Sequence, residues 1–211
     1  MSGFREMTLD GFLERLASSD PTPGGGAVAG AAGAAGAALI SMVGRLTVGK
    51  KGFEDVTPRM QEIVARADAA RMSFLDLADR DAAAFDDVMS AMRMRRDSDE
   101  EKAERTEAMQ RALAAAAEAP LQTARLAVGM MELALEATGS GNPHASSDGS
   151  SAAQMLRAAA TCAAYNVEIN AASIKDAAAA GRLRSETADL LGQADALLRK
   201  TDEAFRARIA G

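Results

Sequence analysis

Apolar residues recur at steps of three and four along most of the chain, which is the spacing of one face of an α-helix. The clearest series follows Pro58 and continues to about Arg93. Its members are Met60, Ile63, Ala67, Ala70, Phe74, Leu77, Asp81, Ala84 and Val88. The series predicts a long helix whose buried face contains one carboxylate, that of Asp81.

The rest of the chain predicts five more helices and no strand. They cover about residues 8–18, 25–47 and 98–138, a segment from near Ser146–Asp148 to Ser173, and about residues 183–209. Ser98 and Glu101 form a capping box at the start of one helix. Pro120 is expected to kink or split that helix, and Gly139 to end it.

The helix that precedes Ser173 has its own predicted buried series. Its N-cap is expected among Ser146, Ser147 and Asp148. The series is Ala152, Met155, Ala159, Cys162, Asn166, Ile169 and Ser173. One polar side chain, Asn166, therefore occupies a position where packing favours an apolar one.

Residues 27–43 carry no charge and consist mostly of Ala and Gly. This run is at the short end of the range of about 17–25 residues that spans a membrane, and Ala and Gly contribute little transfer free energy. Small residues at every fourth position, such as Gly26, Gly30 and Ala34, allow another backbone to approach closely. We therefore predict a buried helix of a soluble protein, not a membrane anchor or a linker.

Composition supports a helical fold. Of the 211 residues, 48% are hydrophobic but only 3% are aromatic, and Trp is absent, so the core must consist mostly of Ala, Leu, Met and Val. Ala and Leu favour helices, whereas strand-forming β-branched residues are sparse. We predict an all-α fold, an up-and-down bundle of long helices, as a single domain over residues 1–211.

Charge and rare residues exclude several classes of function. The formal net charge of -6 argues against binding to nucleic acid. With one cysteine, Cys162, and one histidine, His144, a His/Cys metal site is excluded, although carboxylate-bound Mg²⁺ is not. The N-terminal residues lack the pattern of a secretory signal, so we expect a cytoplasmic protein.

Asp81 has two interpretations. A carboxylate on an apolar face must be paired, hydrogen-bonded or neutral, because burying a bare charge costs several kcal/mol. A structural salt bridge would satisfy it. Alternatively, its surroundings adjust its pKa for work as a general acid or base.

Three other polar stretches have a structural and a functional interpretation each. The segment Pro23, Gly24, Gly25 and Gly26 is either a turn before a helix or a contact for a ligand through exposed N–H groups. Asn142 and Asp148 lie in a loop rich in turn residues, where capping alone would explain Asp148. The cations Arg45, Lys50 and Lys51 either stabilise a helix C-terminus or bind carboxylates of a substrate.

Taken together, these stretches resemble the cyclodeaminase/cyclohydrolase family over about residues 8–180. The matching motifs occur in the family's order: "PTPGGGAVAGAAGAAGAALISMVGRLTVGKKGF", "DRDAAAFDDVMSAMRM", "DEEKAERTEAMQRALAAAAEAPLQTARLAV", "GNPHASSDGSSAA" and "AAYNVEINAASIKD". The sequence departs from the family at Met94–Arg96 and in "DGSSAA", which affects the expected shape of the substrate pocket.

The resemblance implies a homodimer of helical subunits that binds a tetrahydrofolate in a cleft near the subunit interface. It implies that Asp81, in "DAAAF", is the proton acceptor. It implies a site lined by the Pro23–Gly26 turn, Lys50, Asn142 and Asp148, and we add Arg45 and Asn166 to these candidates. No metal or redox cofactor is expected beyond the folate substrate.

We therefore predict a methenyltetrahydrofolate cyclohydrolase, because no transferase domain accompanies this short chain. The alternative within the family is a formiminotetrahydrofolate cyclodeaminase. An alternative of another class is a non-catalytic, folate-binding helical scaffold.

Overall fold

The computed structural model describes residues 3–210, which form six α-helices and no strand. The helices are α1 (Leu9–Leu16), α2 (Gly25–Arg45), α3 (Thr57–Met92), α4 (Asp99–Ser140), α5 (Ser146–Ser173) and α6 (Ala177–Ala210). Two short 3₁₀ turns, Phe4–Glu6 and Pro143–Ala145, precede α1 and α5. The predicted all-α fold with long helices is confirmed.

Glycines of α2 allow two neighbouring helices to pack closely against it. A Cβ atom at Gly33 would come within 2.5 Å of the Phe74 ring of α3, and one at Gly36 within 2.8 Å of Leu156 Cγ in α5. Gly30, near the start of α2, lies against later residues of α3, whereas Gly44, near the end of α2, lies against earlier ones. Helices α2 and α3 are therefore antiparallel. The small residues of α2 therefore serve close helix packing, as their spacing predicts.

The core lies among α2, α3, α4 and α5 and consists largely of alanine with a few larger side chains. The largest fully buried hydrophobic residues are Phe74, Ile40, Met60, Ile63, Leu121, Met131, Leu156, Val43 and Val167. On α3, the predicted apolar series is buried from Met60 to Leu77. The sequence pattern therefore identified the inward face of this helix correctly.

The prediction that Pro120 could split α4 is wrong, since α4 continues through it. A proline at this position leaves the carbonyl four residues earlier without its helical N–H partner. That carbonyl belongs to Ala116, and it accepts a hydrogen bond from Asn170 Nδ2 of α5 at 3.0 Å. A side chain from a neighbouring helix thus replaces the missing donor.

The turn between α4 and α5 is shorter than predicted. Helix α4 ends at Ser140, two residues beyond the predicted last residue Thr138, and its C-cap is Gly141 in place of Gly139. None of the three predicted N-cap side chains caps α5, because the Pro143–Ala145 turn leads directly into it. Asn142 caps that turn instead, accepting a hydrogen bond from the N–H of His144 at 3.1 Å.

The predicted buried series of α5 is partly wrong. Met155 and Ile169 are 39% and 73% exposed, whereas Leu156 and Val167 are fully buried. Alanine occurs on most faces of α5, so apolar spacing alone could not determine which face turns inward.

Helix α2 is long and apolar enough, with a mean hydropathy of 1.7 over its best window, to meet the length and composition of a membrane span. Within the bundle, however, 61% of that window is buried. This burial agrees with the interpretation of α2 as a core helix.

Candidate active site

A cavity of about 560 Å³ opens between the N-terminus of α2, the C-terminal half of α3, the first half of α4 and the end of α5. This volume is within the range of about 300–1,000 Å³ typical of small-molecule sites. Its apolar walls are formed by Phe85, Val88, Met92, Met109, Leu113, Ala116 and Ile169. The cavity therefore suits a small, largely apolar ligand.

Asp81 is the charged residue on the wall of this cavity. Its carboxylate lies against Gly26, where an added Cβ would come within 1.9 Å of Oδ2. Among residues 3–210 it has no hydrogen-bond or ion-pair partner, and burial alone raises the pKa of Asp81 to about 6. A salt bridge therefore does not account for this carboxylate, and its pKa suits proton transfer near neutral pH.

The N-terminus of α2 faces the same cavity through Gly24, Gly25 and Gly26. No side chain caps this helix, and its first intrahelical bond is donated by Val28 to the carbonyl of Gly24 at 3.1 Å. The N–H groups of Gly25 and Gly26, which precede Val28, therefore have no partner within the helix. They are available to a ligand at the positive end of the helix dipole. Pro23, after a cis peptide bond from Thr22, is buried behind this turn and does not line the cavity.

Three amide side chains line the cavity from α4 and α5: Gln110, Asn166 and Asn170. Gln110 joins α4 to the turn after α5, because its Nε2 donates to Ser173 O at 3.1 Å and its Oε1 accepts from Lys175 N–H at 2.6 Å. Asn166 lies beside Gly25, and its Nδ2 donates to Cys162 O at 2.8 Å. The predicted candidate Asn166 thus does belong to the cavity.

The other predicted residues lie at the opposite end of α2, about 30 Å away along the helix. Arg45 pairs there with Asp68, with 2.5 Å between Nη2 and Oδ2, and this hydrogen bond raises the pKa of Arg45. Asn142 is buried and donates from Nδ2 to Leu46 O at 3.1 Å. Lys50 is exposed in the following turn, and Asp148 is half-buried in the first turn of α5.

Sequence reasoning did not identify Phe85, Gln110 or Asn170 as wall residues. Phe85 follows Asp81 by one helical turn and could have been inferred from that spacing. Asn170 could have been inferred only indirectly. Pro120 has no N–H for the Ala116 carbonyl, so a side chain from another helix must donate to that carbonyl. Nothing in the sequence pointed to Gln110, since its two hydrogen bonds join segments that are distant in sequence.

No group of three or more His, Cys, Asp or Glu residues placed to hold a metal occurs within residues 3–210.

These features define an all-helical protein with an unpaired carboxylate in an apolar cavity, and comparisons identify its family. The sequence profile described as formiminotransferase-cyclodeaminase matches residues 8–189. The chain belongs to this family, as the resemblance of its motifs predicted.

Two relatives and one solved structure show how far the similarity extends. A methenyltetrahydrofolate cyclohydrolase of Methylorubrum extorquens is 37% identical over 202 residues, which are 96% of this chain and 97% of that protein. The formimidoyltransferase-cyclodeaminase of Sus scrofa is 34% identical over 87% of this chain, which corresponds to 34% of that longer protein. The crystal structure of a formiminotetrahydrofolate cyclodeaminase from Thermotoga maritima superposes with a TM-score of 0.87 at 31% identity, covering 97% of this chain and 98% of that one.

Proposed function

We propose that this chain hydrolyses 5,10-methenyltetrahydrofolate to 10-formyltetrahydrofolate, with Asp81 as the general base. The observation that carries the proposal is the carboxylate of Asp81, which is unpaired in an apolar cavity and has a pKa raised by burial to about 6. The cyclohydrolase relative matches nearly the full length of both chains, which supports this substrate.

The chemistry needs one carboxylate at the bridging carbon. Methenyltetrahydrofolate is a cation whose charge is shared by N5, N10 and the carbon between them, so the ionised Asp81 stabilises it electrostatically. Water adds to this carbon while Asp81 takes one of its protons. The bond from the carbon to N5 then breaks, the remaining hydroxyl becomes the formyl oxygen on N10, and N5 receives a proton. One proton is released overall.

The electrophile is already positively charged, so the reaction requires no Lewis acid to polarise it and transfers no electrons. We therefore propose that the folate is the only small molecule the reaction needs besides water.

A second activity is favoured by one observation, the TM-score of 0.87 with a formiminotetrahydrofolate cyclodeaminase. Closing 5-formiminotetrahydrofolate with loss of ammonia passes through a similar tetrahedral carbon, and the same carboxylate would act as the proton-transfer group in that reaction.

Two assays with purified protein separate the activities. Enzyme-dependent decay of methenyltetrahydrofolate absorbance supports the cyclohydrolase, and ammonia release from the formimino substrate selects the cyclodeaminase. Failure of both supports a folate-binding scaffold.

The pH dependence of hydrolysis follows from the pKa of Asp81. Because the base must be ionised, kcat/KM should rise about tenfold per pH unit below about pH 6 and level off above it. Initial rates between pH 4.5 and 8, corrected for the buffer reaction, measure this profile. A profile that is flat between about pH 5 and 7 would contradict the assignment of Asp81 as the base.

We also propose that the protein is a homodimer whose interface includes the outward faces of α2 and α5. These neighbouring antiparallel helices leave uncharged, largely apolar residues exposed: Ala35, Ala38, Met42, Leu46, Met155, Tyr165 and Ile169. An antiparallel pairing of two such faces would bring the Arg45 and Lys50 end of one subunit to the cavity of the other. The anionic glutamate tail of folate would then have cationic partners, which the cavity wall does not provide within residues 3–210.

A charge within this face should prevent dimerisation. Met42→Glu places a carboxylate among apolar side chains and is expected to give monomers, while Ile209→Glu, at a position 65% exposed near the end of α6, should remain dimeric. Sedimentation velocity at micromolar concentration measures both variants. A wild-type chain that sediments as a monomer there would overturn the dimer proposal.

A further inference from the structure

Asn166 and Asn170 lie one helical turn apart on α5 and both line the cavity that contains Asp81. Residues four apart on a helix share a face, so the two amide groups form one polar strip in an otherwise apolar wall. The hydrolytic reaction proposed above uses neither side chain. Their role can be derived from the orientation of the amides.

The orientation of Asn170 is fixed by Pro120. The Ala116 carbonyl, which lacks its helical donor because of Pro120, accepts from Asn170 at 3.0 Å. A carbonyl oxygen can bond only to the NH₂ end of an amide, so the other end, Oδ1, must point away from Ala116 O. The same reasoning applies to Asn166, whose NH₂ group is bonded to Cys162 O at 2.8 Å.

The two Oδ1 atoms are therefore free hydrogen-bond acceptors at the cavity. Neither has a donor among residues 3–210, and neither is sealed from solvent. Asp81 adds further acceptor oxygens to the same wall, whereas Gln110 uses both ends of its amide in structural bonds. The Oδ1 atoms of Asn166 and Asn170 thus fit a ligand that offers two neighbouring N–H donors.

A reduced pterin offers such donors. The aminopyrimidine end of its ring carries an exocyclic amine and an adjacent ring N–H, side by side. We propose that Asn166 and Asn170 accept hydrogen bonds from these two groups and so select the amino-pterin ring while Asp81 faces the reacting carbon. This inference rests on the proposed folate substrate. A site built to bind donors disfavours an analogue that lacks them, because its own acceptors are then left unpaired.

The test compares the affinity of tetrahydrofolate with that of its 2-desamino analogue, measured by isothermal titration calorimetry. The wild type should bind the analogue about 10–100-fold more weakly. Of Asn166→Ala and Asn170→Ala, the variant that lacks the partner of the exocyclic amine should have a ratio within about threefold of one. Gln154→Ala, which removes an exposed amide on the same helix but outside the cavity, should keep the wild-type ratio.

Each outcome has a separate meaning. A purely structural role of the amides would weaken both ligands equally and leave the ratio unchanged, which would overturn the inference. If Asn170→Ala does not fold, the wild-type ratio still tests the inference, because a wild type that binds the two ligands equally overturns it. Wild-type protein that turns over methenyltetrahydrofolate but does not distinguish the analogue refutes only the role of the asparagines. Wild-type protein that neither binds nor turns over folates refutes the proposed function and, with it, this inference.

Discussion

Asp81→Asn should lower kcat for methenyltetrahydrofolate hydrolysis by about 10²–10⁴-fold while the fold and the affinity for tetrahydrofolate, which lacks the charged bridge, persist. The amide has nearly the shape of the carboxylate but cannot accept the proton of the attacking water. It also cannot neutralise the cationic substrate. Initial rates of absorbance decay at pH 7.5 measure the effect.

Stability provides an independent check on the same variant. Because burial raises the folded-state pKa of Asp81 from the ordinary 3.8 to about 6, the folded protein binds the proton more tightly than the unfolded chain. The carboxylate therefore destabilises the fold increasingly as the pH rises from about 4 to 6, and the full cost persists above pH 6. Asp81→Asn should be more stable than wild type by about 1–3 kcal/mol at pH 8 and equally stable near pH 4. Urea unfolding at the two pH values tests this.

Asp87→Asn is the matched control for Asp81→Asn. Asp87 is exposed on the same helix and has no hydrogen-bond or ion-pair partner among residues 3–210. Its substitution should not change the turnover. Turnover of Asp81→Asn close to that of wild type would end the assignment of Asp81 as the base.

Gly26→Ala should abolish most of the activity without altering any ionisable residue. An added Cβ would come within 1.9 Å of Asp81 Oδ2 and 2.4 Å of its Cγ, so the carboxylate must turn away or α2 and α3 must separate. Either response displaces the base from the reacting carbon, and we expect kcat/KM to fall by about 10²-fold or more. Steady-state kinetics, with the melting temperature recorded alongside, measures the change.

Gly24→Ala tests whether any side chain in this turn has the same effect. A Cβ at Gly24 would meet the carbonyl of Pro21 at 3.6 Å, an ordinary contact, and the φ angle of -134° is available to alanine. Its kcat/KM should stay within about threefold of the wild-type value. Equal losses in the two variants would show that the turn, not the position of Asp81, limits the reaction.

The sequence predicts α3 and its catalytic candidate for a physical reason. The series from Met60 to Leu77 is regular and contains side chains large enough to define one inward face, so a carboxylate in the same series must lie at the edge of the core. The small residues of α2 predict close helix packing in the same way. The family was predicted from the motifs taken together, because no single spacing could define it.

The remaining features depend on contacts between segments far apart in sequence. Alanine on most faces of α5 conceals which face is buried, and only packing against α2 and α4 decides it. Continuity of α4 through Pro120 depends on Asn170, 50 residues further along the chain. Arg45, Lys50, Asn142 and Asp148 share motifs with the cavity residues, yet a helix of 21 residues separates them from Asp81 within one subunit.

The most direct test of the central claim is a crystal structure of Asp81→Asn with 5,10-methenyltetrahydrofolate, which the inactive variant should leave intact. We expect the pterin in the cavity between the Gly24–Gly26 turn and the wall of Phe85 and Val88. The bridging carbon should lie beside residue 81, separated from its side chain by one water about 3 Å from each. A folate bound where residue 81 cannot reach it, with the cavity left empty, would contradict the proposed site and mechanism.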